Sequence, residues 1–291
     1  MLNSKSGPRI RHVAPEDVPY DSITVEKLTP TIGAEISGLD LGVPLSDAQT
    51  DDIHRALAEN LVVFFRDQSI TPAQHLAFGR HFGAFHIHPA APHEEGMPEL
   101  MKIYTDETSP RANGEGWHSD VSCDPEPPMG TILYIKQCPP SGGDTLFANM
   151  YAAYDALSDR MKTYLAGLTA MHEGEHVYRG LYDNYGQVDK PVYPRAEHPV
   201  VRTHPVTGKK ALYVNQGFTT RILDIPEDES AGILAYLYRH MENPLFQCRF
   251  RWQPNSIAFW DNRCTQHHAL WDYWPHTRAG TRVTILGEKP R

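Results

Sequence analysis

Cysteine is scarce in this chain: there are four in 291 residues. None of Cys123, Cys138, Cys248 and Cys264 stands in a C-x-x-C pair. At this length that argues against a disulfide framework or a thiolate zinc cluster, and predicts reduced structural thiols in a cytoplasmic protein. Positive charge is in deficit as well. Thirty-six acidic side chains against 27 basic ones give a net charge of −9, without the basic face that a nucleic-acid partner requires. No apolar run is long enough to span a bilayer, and mean hydropathy is −0.48, so no membrane partner is expected. The first residues are polar and basic with no apolar stretch, which predicts no secretory signal. Internal repeats, low-complexity tracts and linkers are also missing.

What is present is enough apolar material, 40% of the residues, for one large core. Residues 1–22, with Pro8, Pro15 and Pro19 among charges, read as an irregular lead-in. Residues 23–291 read as a single domain. Residues 23–28 alternate as an edge strand should, and residues 32–41 continue with glycine-marked turns. Ser46 and Gln49 form a capping box for a helix to about residue 60, followed by a short buried strand over 61–65. Thr71 caps a second helix with Pro72 at its first position. Residues 84–116, rich in Pro, Gly, His and acids, read as a long lid or substrate loop. Strands are predicted over 132–136, 144–147, 168–172, 200–202, 211–215, 247–252, 256–260 and 281–286. Two helices flank Ser158, and a third spans 226–243 with Ile233, Leu234, Leu237 and Met241 on one face. Many short strands with a few covering helices predict a mainly β, cupin-like jelly roll with flanking helices.

The candidate site begins at Gly116-Trp117-His118-Ser119-Asp120-Val121. On a strand, residues two apart share a face, so His118 and Asp120 would present an imidazole and a carboxylate together. One more distant histidine completes a 2-His-1-carboxylate triad, which leaves metal positions open for oxygenase chemistry. The segment Trp260-Asp261-Asn262-Arg263-Cys264-Thr265-Gln266-His267 supplies it. His268 is the competing ligand, because neighbours on extended chain face opposite ways. Arg278 and Arg282 follow, each a planar two-pronged donor for a carboxylate or sulfonate.

These segments, with Gly142-Gly143-Asp144-Thr145 between them, resemble the taurine dioxygenase (TauD/TfdA) family. The similarity runs from about residue 32 to 289, with the motifs in the family's order. It implies a double-stranded β-helix that uses Fe(II), 2-oxoglutarate and O2. His118, Asp120 and His267 match the iron ligands and so the catalytic centre, the register favouring His267 over His268. Thr145 and Arg278 match the hydroxyl and the cation on the distal carboxylate of 2-oxoglutarate. Arg282 matches the arginine between the co-substrate's inner end and the substrate anion. His88 and the Val121 backbone match contacts to that anion. The family implies hydroxylation of a small anionic molecule with release of succinate and CO2. A carbon bearing sulfonate or sulfate would then yield an aldehyde and sulfite or sulfate, a role in sulfur metabolism. It also implies a homo-oligomer, dimer or tetramer.

Two departures bear on the substrate. Taurine-cleaving members carry a tyrosine in the His-Pro-x-x-Pro loop where this chain has Ala91. They carry an asparagine shortly before the metal histidine where it has Gly114. A site that loses such polar groups is expected to accept a larger or more apolar anion, an alkyl sulfonate, alkyl sulfate or aryl-oxy acid. Trp117, Phe147 and Trp260 are expected as core around the site, and His86 and His93 as solvated or locally bonded. One rival is His172-Glu173-Gly174-Glu175-His176, which matches H-E-x-x-H of a zinc metallopeptidase, although Gly174 weakens the helix it needs. The other is a jelly-roll binding protein without catalysis.

Overall fold

The computed structural model describes residues 18–88, 91–110, 112, 114–179 and 192–291. Nearly all of the expected lead-in falls outside them. The fold is built on a nine-stranded mixed sheet. Its strands are β1 (Thr24–Lys27), β2 (Ala34–Ser37), β3 (Val62–Phe65), β4 (Phe85–His86), β5 (His93–Glu94), β6 (Met97–Thr105), β7 (Gly130–Gln137), β15 (Ser256–Asp261) and β17 (Arg278–Ile285). Their order is β1-β2-β3-β15-β7-β17-β6-β5, with β4 also on β17. Among the described residues, only β2 and β3 pair in parallel. A smaller sheet orders β14 (Gln247–Phe250), β8 (Thr145–Asn149) and β16 (Thr265–Ala269). A third joins β10 (Arg195–Pro199), β9 (Thr169–Glu173) and β13 (Thr219–Ile222), and a two-stranded ribbon joins β11 (Val201–Thr203) and β12 (Lys210–Leu212).

Period-two alternation assigns each central strand to two cores. Val62, Phe64, Leu133, Ile135, Ala258 and Trp260 pack with Phe147 of β8 and Phe250 of β14. Their sequence neighbours Val63, Phe65, Ile132, Tyr134, Ile257 and Phe259 point the other way. There they meet Ile53 and Leu57 of α1 (Asp47–Asn60) and Leu76 and Phe78 of α2 (Pro72–Arg80). Phe64 and Phe250 stack across the two sheets with centroids 3.9 Å apart. The large sheet thus has helices on one face and the small sheet on the other, a jelly roll with flanking helices.

The predicted capping box at Ser46 is formed, and the predicted N-cap Thr71 closes a second one with Gln74. Ser46 and Gln49, and Thr71 and Gln74, exchange reciprocal side-chain and backbone bonds. Asn149 and Ser158 cap α3 (Met150–Asp155) and α4 (Asp159–Leu165) with a single bond each, their side-chain oxygens accepting from the Ala152 and Met161 amides. After the four-residue α5 (Glu175–Tyr178) comes α6 (Glu227–Met241), which buries Leu234, Leu237 and Met241. Two expectations are corrected. Residues 84–116 are not one loop, since β6 is a nine-residue strand paired along β17. Pro98, Glu99 and Lys102 break the apolar alternation, while Leu100 and Ile103 still reach the two cores. Nor is His118 in a strand: it makes a single antiparallel bridge with His267, and the chain turns directly after it.

Candidate active site

His118 and His267 are brought together by that bridge, with the His118 amide 3.1 Å from the His267 carbonyl and the reverse bond at 2.9 Å. Gly114 and Gly116 before it have φ of +82° and +86°, left-handed values that glycine adopts without cost. Val121 follows at +47°, in the turn that begins at Asp120. The Nε2 atoms of His118 and His267 lie 3.7 and 3.8 Å from Asp120 Oδ1. Among the described residues, His118, Asp120 and His267 form one of two groups whose ligand atoms all lie within 4.8 Å of one another. The Gly116 carbonyl accepts from His118 Nδ1–H at 3.0 Å, which leaves the Nε2 lone pair for a metal. His268 faces away and packs on Trp117, with centroids 5.7 Å apart.

Burial lowers the pKa of His118 and pushes that of His267 well below the ordinary value, so both rings are neutral donors. Burial works against the charge on Asp120, but Arg282 and the two histidines outweigh it and hold the carboxyl far below its usual range. Arg282 Nη1 is 3.0 Å from Asp120 Oδ1. The other carboxylate oxygen accepts from Thr131 Oγ1 at 2.8 Å. Asn262 Nδ2 in turn donates to that hydroxyl at 3.0 Å, and Asn262 Oδ1 accepts from Trp260 Nε1 at 3.0 Å. Thr131 and Asn262 escaped the sequence reading. Asn262 stood only within the motif segment, and Thr131 lay just before the strand predicted over 132–136.

One cavity of about 200 Å³ adjoins these groups, and His88, Val121, Thr145, Arg278 and Arg282 line it together with His118, Asp120 and His267. Arg278 is buried, and its Nε and Nη2 have no hydrogen-bond partner among the described residues. Thr145 Oγ1 accepts from Trp252 Nε1 at 2.9 Å, and because that indole can only donate, the threonine proton is left for another acceptor. A buried cation with idle donors is costly unless an anion meets it, so this end of the cavity fits a carboxylate. At the other end His88 is pushed down to about 3 by burial and by Arg282, and is a neutral hydrogen-bonding group there. His86 pairs with Asp124 at 3.0 Å and His93 Nε2 bonds the His88 carbonyl at 3.0 Å.

Trp117, Phe147 and Trp260 are buried, and Trp260 also lines the cavity. Gly114 lines it too, whereas Ala91 is buried in the core and its neighbour Pro92 reaches the wall. The H-E-x-x-H segment is not a helix. His172 and Glu173 end β9, Gly174 interrupts, and His176 stands on α5. Its imidazoles are committed to Ser122 and to the Gly217 carbonyl, which removes the zinc-peptidase reading. The second group of possible ligands, His204, Asp261 and Cys264, is a buried ion pair. Arg263 holds both Asp261 oxygens, at 2.9 and 2.7 Å, and His204 Nε2 lies 3.0 Å from one of them.

Residues 24–284 match the family described as taurine catabolism dioxygenase TauD, TfdA. An α-ketoglutarate-dependent sulfonate dioxygenase of Saccharomyces cerevisiae is 35% identical, over 92% of this chain and 68% of its own. An α-ketoglutarate-dependent sulfate ester dioxygenase of Pseudomonas putida is 34% identical, over 92% and 91%. The crystal structure of a taurine dioxygenase from Burkholderia xenovorans superposes with a TM-score of 0.81 at 36% identity, covering 93% and 91%. Fold, motif order and overall similarity agree that this chain belongs to the TauD/TfdA family of Fe(II)- and 2-oxoglutarate-dependent dioxygenases.

Proposed function

We propose that His118, Asp120 and His267 hold Fe(II), that Thr145 and Arg278 bind the distal carboxylate of 2-oxoglutarate, and that Arg282, His88 and the Val121 backbone receive the substrate anion. The observation that carries this reading is the idle, buried guanidinium of Arg278 in the same cavity as a convergent His-Asp-His set. When bound, iron and 2-oxoglutarate supply the oxidising power, with O2 consumed and succinate and CO2 released. The chain's own residues bind, orient and exclude water. Thr131 fixes the Asp120 carboxylate so that one oxygen faces the two imidazoles. Arg282 provides positive charge beside that carboxylate, and neutral His88 adds a hydrogen bond without charge. Met101, Ile103, Val177, Tyr178 and Phe218 give the cavity an apolar wall.

The substrate is an organic sulfonate or sulfate ester with a larger or more apolar body than taurine. Support comes from Gly114 at the cavity wall, the apolar residues facing it, and the sulfonate and sulfate ester dioxygenases among the relatives. Hydroxylation at the carbon bearing the anion would release sulfite or sulfate and leave an aldehyde. The proposal includes a cytoplasmic homo-oligomer. The unpaired state of all four cysteines accords with that compartment, and no helix among the described residues is long and apolar enough to cross a membrane.

The test is succinate formation by the iron-loaded protein across taurine, longer alkyl sulfonates, alkyl sulfates and phenoxyalkanoates, with sulfite and sulfate measured alongside. Iron-dependent succinate, matched by sulfite or sulfate and greater with the longer compounds than with taurine, is expected. A preference for taurine would overturn the enlarged-site reading. No iron-dependent succinate with any compound would return the chain to a binding role.

A further inference from the structure

The chemistry above leaves His172 and His176 without a task, yet both reach the same short turn beside the cavity, residues 215–219. That turn is tied to the metal side at three points. Asn215 Oδ1 accepts from the Phe218 amide at 2.9 Å, and Asn215 Nδ2 donates to Ser122 Oγ at 3.0 Å, two positions after Asp120. The Gly217 amide donates to the Trp117 carbonyl at 3.2 Å. Gly217 also sits so close that a Cβ there would lie 2.8 Å from His118 Cβ.

The two histidines tie the turn from the opposite side. His172, fully buried on β9, has Nδ1 3.0 Å from Ser122 Oγ and Nε2 3.3 Å from Thr219 Oγ1, within hydrogen-bond reach of both hydroxyls. His176 donates from Nε2 to the Gly217 carbonyl at 2.8 Å. His176 belongs to α5, which gives Val177 and Tyr178 to the cavity, while Phe218 comes from the turn. The rings of Tyr178 and Phe218 lie 5.9 Å apart. The His176–Gly217 bond therefore joins the two halves of the apolar wall, and Gly217 touches the iron-ligand segment. His176 is exposed, so water could satisfy the carbonyl in its absence. Water would not tether α5 to the turn, and that distinguishes a positioning role from simple hydrogen-bond satisfaction.

We infer that His172 and His176 are positioning residues for the oxidation. They fix the 215–219 turn so that the substrate wall and the segment bearing His118 and Asp120 keep one register. This rests on the cavity being the substrate site, and the test separates the two claims. The wild-type protein first establishes which organic anion stimulates iron-dependent succinate. His176→Ala and His176→Gln are then compared with it, both in that assay and, metal-free, by hydrogen exchange at residues 217–219.

For His176→Ala the expected results are an apparent KM for the organic anion raised about tenfold, more succinate per sulfite or sulfate released, and an unchanged KM for 2-oxoglutarate. Exchange at 217–219 should accelerate in the metal-free protein, and the Gln variant should restore both properties by replacing the donor. Asn215→Asp, which removes the donor to Ser122 and competes for the hydroxyl that Ser122 shares with His172, should reproduce the coupling defect while leaving in place the His172 side chain, whose loss from the core can unfold the chain. A His176→Ala protein with wild-type KM and coupling, altered only in thermal midpoint, would overturn the inference. Wild-type exchange at 217–219 in that variant would overturn it even if no substrate were found.

Discussion

Asp120 is the single carboxylate among three convergent donors, and four groups are arranged around it. Asp120→Ala would leave Arg282 facing two imidazoles and no anion to hold a dication, so iron-dependent turnover should vanish. A wild-type rate would break the assignment. Arg278→Ala removes the charge facing the far end of the cavity. Truncating one member of a buried ion pair costs about 2–5 kcal/mol, so the 2-oxoglutarate requirement should rise on the order of a hundredfold while the organic substrate's KM holds. If only the organic substrate's KM moved, the roles of the two arginines would be exchanged. Gly114 bears on the choice of substrate. Its φ of +82° admits asparagine better than most residues, and a Cβ there would meet His118 Cε1 at 3.4 Å. Gly114→Asn should therefore fold, narrow the site and lower kcat/KM for long sulfonates more than for taurine. A uniform loss for both would show that Gly114 does not set size.

Elements differ in how much of them could be read from sequence. The capping box at Ser46 and the N-cap at Thr71 were legible because N-caps are chosen by local hydrogen bonding. The central strands were legible because alternate side chains enter different cores. β6 was not, since Pro98 and charges interrupt its alternation and its pairing with β17 is set by residues far along the chain. The His118 segment looked like a strand because His-x-Asp fits period two, but it makes only an isolated bridge to His267 and the chain turns from Asp120 onward. The same limit explains His172 and His176, whose spacing matches a zinc helix while β9 ends between them.

On α2, His75 is fully buried and pushed down to about 4 by burial, with Nδ1 3.0 Å from Thr281 Oγ1 on β17. Unfolded, it would titrate near 6.5, so below that pH the unfolded chain binds a proton that the folded chain refuses. Stability is thus full above pH 6.5 and falls as pH drops toward 4, by up to about 1.4 kcal/mol per pH unit for this one group. Urea midpoints measured from pH 7 to 4.5 should decline, and His75→Leu should decline less steeply. Equal slopes would show that His75 does not carry the effect.

At the scale of the whole molecule, the site is made of residues 88 to 282, carried on β8, β16, β17 and the turns between strands. Their order along the chain, with the resemblance it carried, pointed to His118, Asp120 and His267 as the candidate ligands, which converge in the fold. Sequence could not show that Arg278 would arrive buried with donors idle, or that Thr131 and Asn262 would fix the carboxylate, because those facts exist only once the sheets close. Under the proposed assignment, metal and co-substrate binding are separable properties of that one cavity. The most direct measurement is an oxygen-free titration of the Fe(II)-loaded protein with 2-oxoglutarate, followed by the visible charge-transfer absorption of an iron–keto-acid chelate. The account predicts saturation at one equivalent, no absorption in Asp120→Ala, and a midpoint displaced about a hundredfold in Arg278→Ala. The absence of the band in the wild-type protein, or an identical titration in both variants, would contradict it.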